Sequence, residues 1–384
     1  MALTHVRTPR YPQASPSPPA LRIAMLAPPW IPVPAPGYGG IEQVVEQLCT
    51  CLVANGHDVT LFAAPGSRST AGVHPVLDRA HPDSIGTAMC EADHVAVAMK
   101  AIDTAADDGS PYDVVHDHCG FTALAMADRL TTPMVHTIHG HFSQDASAFY
   151  RRHGHKAKLV AISPAQRRSA PQAVAIDAVV PNPITMHRWP LERQKAGYLL
   201  WMGRVDEVKG PHRAITAARL AGRSLILAGP VQCGQERFFA DVVEPQIDGV
   251  QIRYAGEVGG SVKRRWIAKA AAFLMPIRWQ EPFGMVMIEA LACGTPVIAF
   301  PEGAALDIVI PGVNGFLVDD EHAMAEAVAR VGEIDPGTCR ASVQGRYDVG
   351  LVEAAYERVY RLAAGARRTG AVKPRPRSLV LAGS

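Results

Sequence analysis

The sequence predicts an α/β protein made of two doubly wound domains, each a parallel sheet with helices on both faces. Three features lead there. Short, continuously apolar runs recur along the chain, as in strands buried on both faces, and helically periodic segments separate them. Glycines cluster where the first run meets the first helix. The series then restarts after a turn-rich crossing at Pro181-Asn182-Pro183, better suited to a hinge than to an element interior.

Residues 21–28 (LRIAMLAP) read as the first strand. A Pro/Gly-rich loop ends in Gly37-Tyr38-Gly39-Gly40, and helical periodicity runs over 41–54 to Asn55-Gly56. Residues 58–64 (DVTLFAA) give the second strand. This βαβ unit has glycines where a phosphate would rest on the helix amino end. It lacks the full GxGxxG fingerprint, and glycines needed only for a tight turn explain the stretch equally well. A helix over 85–106 follows, then strands at 113–116, 134–138 and 159–162. These run into His116-Asp117-His118, His139-Gly140-His141 and Ser163-Pro164. Ligands bind at that carboxyl edge of open α/β sheets. His116 and His118 share a strand face, which raises a metal site. No cysteine or carboxylate set completes a ligand spacing, so histidines hydrogen-bonded within the cleft are the stronger expectation.

Beyond the crossing, strands are expected at 198–202, 224–228, 250–254, 272–276, 296–300 and 316–318. Helices are expected at 211–221, 261–270, 322–331 and 348–363, with Pro211 suiting a first helical turn. The expected division is a mobile Pro/Ser-rich tail (1–20), a first domain (21–183) and a second (184–347). A C-terminal helix (348–366) would cross back to the first domain, leaving a mobile tail (367–384).

Composition narrows the class. With 384 residues, 48% of them hydrophobic, the chain can bury two cores. A net charge of +2, without any basic run interleaved with aromatics, argues against a nucleic-acid partner. The seven cysteines form no CxxC and read as reduced thiols. No apolar stretch reaches membrane-span length. The first twenty residues carry five prolines and no apolar core, unlike a secretory signal. A cytoplasmic protein is expected, compatible with peripheral contact at a membrane surface.

The chemistry gathers around 278–296, RWQEPFGMVMIEALACGTP. Residues 285–293 are apolar at every position except Glu289, and Gly284 and Gly294 bound them. That pattern is a short buried helix after a polar loop. A lone carboxylate is costly to bury there unless paired, so either an internal cation or ligand hydroxyls must meet Glu289. Pro282 keeps Glu281 out of the helix. Two carboxylates thus flank one helix amino end, whose amides suit an anionic or hydroxyl-rich ligand. Arg204 and Lys209 lie between a strand's end and the helix that begins at Pro211. Two fixed cations beside a helix amino end make a diphosphate site. Solvated loop charges are the plain alternative, against which the Gly203-Arg204 junction and the Lys209-Gly210-Pro211 helix start both argue.

Together, Gly39-Gly40-Ile41-Glu42, Gly203-Arg204 with Lys209-Gly210, and Glu281-Pro282-Phe283-Gly284 running to Glu289-Ala290 resemble family 4 of the retaining glycosyltransferases. That family has the GT-B architecture, two Rossmann-like domains facing across a cleft. HDH at 116–118 and TIHG at 137–140 are similar to the family's first domain, and the resemblance covers 21 to about 363. A departure occurs at Asn182-Pro183-Ile184-Thr185, where Asn-Gly-Ile-Asp or similar is common. The resemblance implies a catalytic set of Arg204, Lys209, Glu281 and His139. Arg204 and Lys209 would hold the donor diphosphate, Glu281 would face the sugar hydroxyls, and His139 would sit by the reacting centre. Donor binding would fall to Gly39 and Gly40, to the backbone of Phe283, Gly284, Met285 and Val286, and to Glu289 on the ribose diol. Gly40 would present its amide to the phosphate or acceptor edge. The first domain would hold the acceptor and the second the donor.

No Asp-x-Asp pair occurs in the chain. Without that holder for a divalent ion, the cations and helix amino ends must stabilise the leaving charge, and neither metal nor other cofactor is expected. Retention can proceed through a carboxylate nucleophile, but no unassigned carboxylate is placed for it. The resemblance implies front-face transfer, with the leaving phosphate helping to deprotonate the acceptor. The expected donor is a nucleotide-sugar, a UDP-sugar before a GDP-sugar. The expected acceptor is a hydroxyl on a polysaccharide, lipid or small metabolite. Rival readings are a nucleotide-sugar sensor without turnover, or another activity of this architecture such as a sugar-phosphate synthase, phosphorylase or epimerase. A dehydrogenase is disfavoured, lacking GxGxxG and an acidic residue at ribose distance.

Overall fold

The computed structural model describes residues 19–37 and 39–369. Seven strands form the first sheet: β1 (Arg22–Leu26), β2 (Asp58–Ala63), β3 (Gly72–Pro75), β4 (Val114–Asp117), β5 (Met134–Ile138), β6 (Lys158–Ala161) and β7 (Ala178–Val179). Helices α1 (Gly40–Ala54), α2 (Ala88–Asp107), α3 (Thr122–Met126), α4 (Gln144–His153) and α5 (Pro164–Ser169) lie between them in sequence. The order is β3-β2-β1-β4-β5-β6-β7, with every pairing parallel. The chain steps outward from β1 to β3, then returns to the other flank at β4. The direction of winding therefore reverses between β1 and β4, where diverging loops leave a crevice.

The second sheet repeats the plan. Its strands are β8 (Leu199–Met202), β9 (Leu225–Ala228), β10 (Ile252–Tyr254), β11 (Ala272–Met275), β12 (Val297–Ala299) and β13 (Gly315–Leu317), ordered β10-β9-β8-β11-β12-β13 and all parallel. Its helices are α6 (Pro211–Leu220), α7 (Glu236–Phe238), α8 (Gly260–Lys269), α9 (Met285–Ala292), α10 (Ala305–Ile308), α11 (Glu321–Arg330) and α12 (Pro336–Tyr347). Here the reversal falls between β8 and β11. Every residue of β8, β9 and β11 is buried, as strands covered on both faces require. In α1, Val44, Leu48 and Leu52 bury one helical stripe.

The chain passes between the sheets twice, and the two crossings are bonded to each other. Ile184 donates its amide to Tyr347 O (2.7 Å) and accepts from Val349 N–H (3.1 Å). Thr185, at the departure from the family pattern, donates its hydroxyl to Gln47 Oε1 on α1 (2.7 Å). The last helix, α13 (Val349–Thr369), packs on α1, β4 and β5 of the first sheet. Its Val352, Tyr356, Val359 and Tyr360 complete that domain's core.

Several elements depart from the expectations. Strands β3 and β7, and helices α3, α4, α5, α7 and α12, were not predicted. Helix α13 continues to Thr369, beyond the expected limit at 366, because Ala and Arg are strong helix formers that outweigh the single Gly365. Residues 1–18 and 370–384, most of the two predicted tails, lie outside the described residues. All seven cysteines are free thiols. Among the described residues no helix is long and apolar enough to cross a membrane.

Candidate functional site

Two loops at the reversal of the second sheet form the centre of the site. The first leaves β8 at Gly203. Asp206 accepts Val208 N–H at 3.1 Å and starts a single turn over Glu207–Lys209. Gly210 follows at φ 71°, where a side chain would run into the Pro276 carbonyl, and Pro211 begins α6. Trp201 at the end of β8 donates its indole N–H to Lys209 O at 3.1 Å. The Lys209 main chain is thereby held while its side chain reaches toward β11.

There its ammonium forms an ion pair with Glu281 Oε2. Trp279 donates its indole N–H to the same oxygen at 3.0 Å, and the Lys209 ammonium lies 4.6 Å from the indole centroid. The two charged side chains are only 14% and 12% exposed, so the pair is strongly coupled. Arg278 N–H donates to Val208 O (3.0 Å) and Ala304 N–H to Glu281 O (2.9 Å), stitching the loops together. Arg204 directs its guanidinium to Gln232 Oε1 at 2.7 Å, on the loop after β9.

Helix α9 opens at Gly284, φ 84°, where a Cβ would strike Met287 Cε. Glu289 sits inside this helix at 1% exposure. Lys263 of α8 meets its two oxygens at 2.8 and 2.7 Å. Of the two ways to satisfy Glu289, the protein itself supplies the cation. Oε2 of Glu289 stays at ion-pair distance yet accepts no hydrogen bond from any described residue, so it retains acceptor capacity. The Phe283 ring packs into the core against Tyr347, 5.6 Å between centroids, so its side chain is not available to a ligand.

The facing wall comes from the first sheet. Gly39 is the buried cap of α1, while Gly40 is exposed with open space around it. Glu42, buried in the same first turn, has its carboxyl pushed up to about 7 by burial. His139, half-buried after β5, shares a 2.8 Å hydrogen bond between its Nε2 and His118 Nδ1. Burial lowers the His139 pKa to about 3, with His136 adding to the effect. Asp117 is consumed structurally, accepting from His136 Nδ1 (2.6 Å) and from Cys119 N–H (2.8 Å).

The walls touch. His141 meets Trp279 edge-on, 5.2 Å between centroids. Ser163 donates its hydroxyl to Pro282 O at 2.6 Å. Met285 packs against both cores, and a side chain on Gly37 would overlap the Glu257 carboxylate. His139 and Gly40 thus stand on one wall, with Lys209, Glu281 and the start of α9 on the other. Among the described residues, three potential metal ligands converge, His57 with Glu353 and Glu357 of α13. Leu21 N–H donates to His57 Nδ1 at 3.0 Å, so the ring proton sits on Nε2 and points at the carboxylates. That nitrogen offers a metal no lone pair. Trp279, Lys263 and Gln232 are site residues that the sequence did not single out, whereas His141 belonged to the histidine cluster it placed at the cleft edge. The expectation that Glu289 needs either an internal cation or ligand hydroxyls left room for Lys263 without naming it.

Two doubly wound sheets facing across a cleft, with cations and helix amino ends at the reversal of the second, define a GT-B glycosyltransferase. The model of Glycosyltransferase Family 4 matches residues 38–188 and that of Glycosyl transferases group 1 matches 196–333. The chain belongs to this family and is a glycosyltransferase. It is 27% identical to the glycogen synthase of Mycobacterium tuberculosis over 401 aligned residues, covering 88% of this chain and 94% of that one. The solved structure of AviGT4, a glycosyltransferase involved in avilamycin A biosynthesis, is 26% identical with a TM-score of 0.67, covering 90% and 98% of the two chains. Anabaena HepE, solved in complex with UDP, shares the fold at 20% identity and a TM-score of 0.67, covering 88% and 99%.

Proposed function

We propose that the chain transfers a sugar from a nucleoside diphosphate sugar to an acceptor hydroxyl, with retention at the anomeric carbon and without a metal ion. The observation that carries this reading is the Lys209–Glu281 pair over Trp279, at the reversal of the donor-side sheet. A diphosphate entering there meets the Lys209 ammonium, Arg204 and the amino ends of α6 and α9. Glu281, released from part of its pairing, is left to accept sugar hydroxyls. Glu289 Oε2 accepts from the ribose diol. As the bond from the anomeric carbon to phosphate oxygen breaks, negative charge grows on the diphosphate and Lys209 stabilises it. The acceptor oxygen bonds to the same face of that carbon, and its proton passes to the departing phosphate oxygen.

A uridine donor is favoured over guanosine, since UDP is what HepE holds on this fold. The test is incubation with UDP- and GDP-sugars plus polysaccharide, lipid and small hydroxylated acceptors. Nuclear magnetic resonance of the product would report its anomeric configuration. Release of UDP with an α-linked product from an α-linked donor is expected. An inverted product would refute retention. Nucleotide binding without any release would establish the sensor instead.

A further inference from the structure

We propose that Tyr360 of α13, acting through His116 and His118, sets the tautomer and orientation of the His139 ring, which makes these three positioning residues for the transfer. The proposal rests on the reading above for its functional consequence but not for its chemistry. A continuous hydrogen-bonded line leaves the cleft at His139 and crosses the first domain. His139 Nε2 meets His118 Nδ1 at 2.8 Å, and His118 Nε2 lies 3.3 Å from His116 Nδ1. The Tyr360 hydroxyl meets that same His116 Nδ1 at 2.7 Å. His116 Nε2 meets Thr137 Oγ1 at 2.8 Å, and Thr137 Oγ1 meets the Tyr356 hydroxyl at 2.9 Å. His116, His118, Thr137, Tyr356 and Tyr360 are all fully buried.

Burial fixes the protonation of the line, and Tyr360 fixes its direction. The pKa values of His116 and His118 lie well below the ordinary histidine value, so the rings are neutral and each carries one N–H. A phenol is the stronger donor of a phenol–imidazole pair, and His116 Nδ1 is the partner of the Tyr360 hydroxyl among the described residues. His116 therefore accepts at Nδ1 and donates from Nε2 to Thr137. His118 then turns its Nε2–H toward the same His116 Nδ1, sharing that lone pair at the longer 3.3 Å, and accepts at Nδ1 from His139 Nε2–H. His139 is left with its lone pair on Nδ1, the nitrogen outside the line. The hydrogen bond at one ring nitrogen dictates what the other can do. Without the Tyr360 hydroxyl the opposite polarity satisfies every member equally. His139 would then carry its proton on Nδ1 and lose an acceptor.

The test is nitrogen resonance of the 15N-histidine-labelled full chain, with and without Tyr360→Phe. In the wild type, Nδ1 of His116, His118 and His139 should all resonate as unprotonated nitrogens and Nε2 as protonated ones. In Tyr360→Phe, His139 Nδ1 should shift toward the protonated range. Its kcat should fall on the order of tenfold, with affinity for UDP unchanged by calorimetry. A wild-type His139 protonated on Nδ1 would overturn the proposal, whether or not the variant folds. So would an unchanged His139 resonance in a folded variant. If the wild type transfers no sugar, the proposed function fails while the resonances still decide the relay.

Discussion

Lys209 and Glu281 come from loops 72 positions apart and meet as an ion pair over the face of Trp279. The cation proposed to stabilise the leaving diphosphate is thus paired with the carboxylate proposed to receive the sugar. Removing the ammonium takes away stabilisation that strengthens as phosphate charge develops. Lys209→Ala should therefore lower kcat on the order of a hundredfold while raising KM only slightly. Steady-state kinetics with a saturating acceptor checks this, and an effect confined to KM would remove Lys209 from the reaction.

Lys263 and Glu289 offer a separable test. Lys263→Ala leaves a nearly inaccessible carboxylate unpaired, which should destabilise the fold by about 3–5 kcal/mol. Adding Glu289→Ala should restore part of that loss, measured by urea unfolding. Glu289→Gln should weaken UDP binding by about 1.5–3 kcal/mol in calorimetry, the range for a hydrogen bond to a charged group. Unaltered UDP affinity would make Glu289 a structural ion-pair member only.

Chelation bears on the leaving group. On the proposed reading, in which Lys209, Arg204 and helix amino ends hold the diphosphate, transfer should continue in excess EDTA at an unchanged rate. Abolition of turnover, restored by magnesium or manganese, would contradict the metal-free reading.

Acid should loosen the protein above the ordinary carboxylate range. Burial lowers His94 to about 4 and His139 to about 3, and takes His116 and His118 well below their ordinary value. A depressed histidine contributes stability above its unfolded pKa of 6.5, lost as pH falls toward the folded value, because the unfolded chain binds the extra proton. Glu42, raised to about 7 by burial, and Glu353, also raised by burial, act with the opposite sign. Burial lowers His57 and His212 as well, so the depressed histidines outnumber the raised carboxylates, unfolding takes up protons on balance, and stability should fall between pH 6 and 5. Urea midpoints at pH 7.5, 6 and 5 measure this, and a flat profile would contradict neutral buried histidines.

Much of the fold was legible because buried parallel strands are apolar at every position, as in β8 and β11. The glycines that begin α6 and α9 were legible for a different reason, since positive φ admits little else. What escaped lacked such marks. Helix α4 buries only Ala146 and Tyr150, too few for a visible stripe, and β3 buries none of its residues. Helix α12 was missed although Asp335-Pro336 is a fair helix start, and Asp335 does accept Thr338 N–H at 2.7 Å. Lys263 begins a Lys-Arg-Arg run that reads as a solvated face, and only the packing of α8 on α9 brings it to Glu289. Trp279 carried no mark of its own: its bond to Glu281, two residues on, depends on the local loop geometry, and its contact with His141 depends on two loops meeting in space.

The return of α13 to the first sheet ties biosynthesis to architecture. All seven strands of that sheet leave the ribosome roughly ten to thirty seconds before Tyr356 and Tyr360 do, at ordinary translation speeds. Throughout that interval the furrow beside α1 stands wet and unfilled. A stop codon anywhere between β13 and Val349 would leave the amino-terminal half fully translated yet permanently short of its own interior.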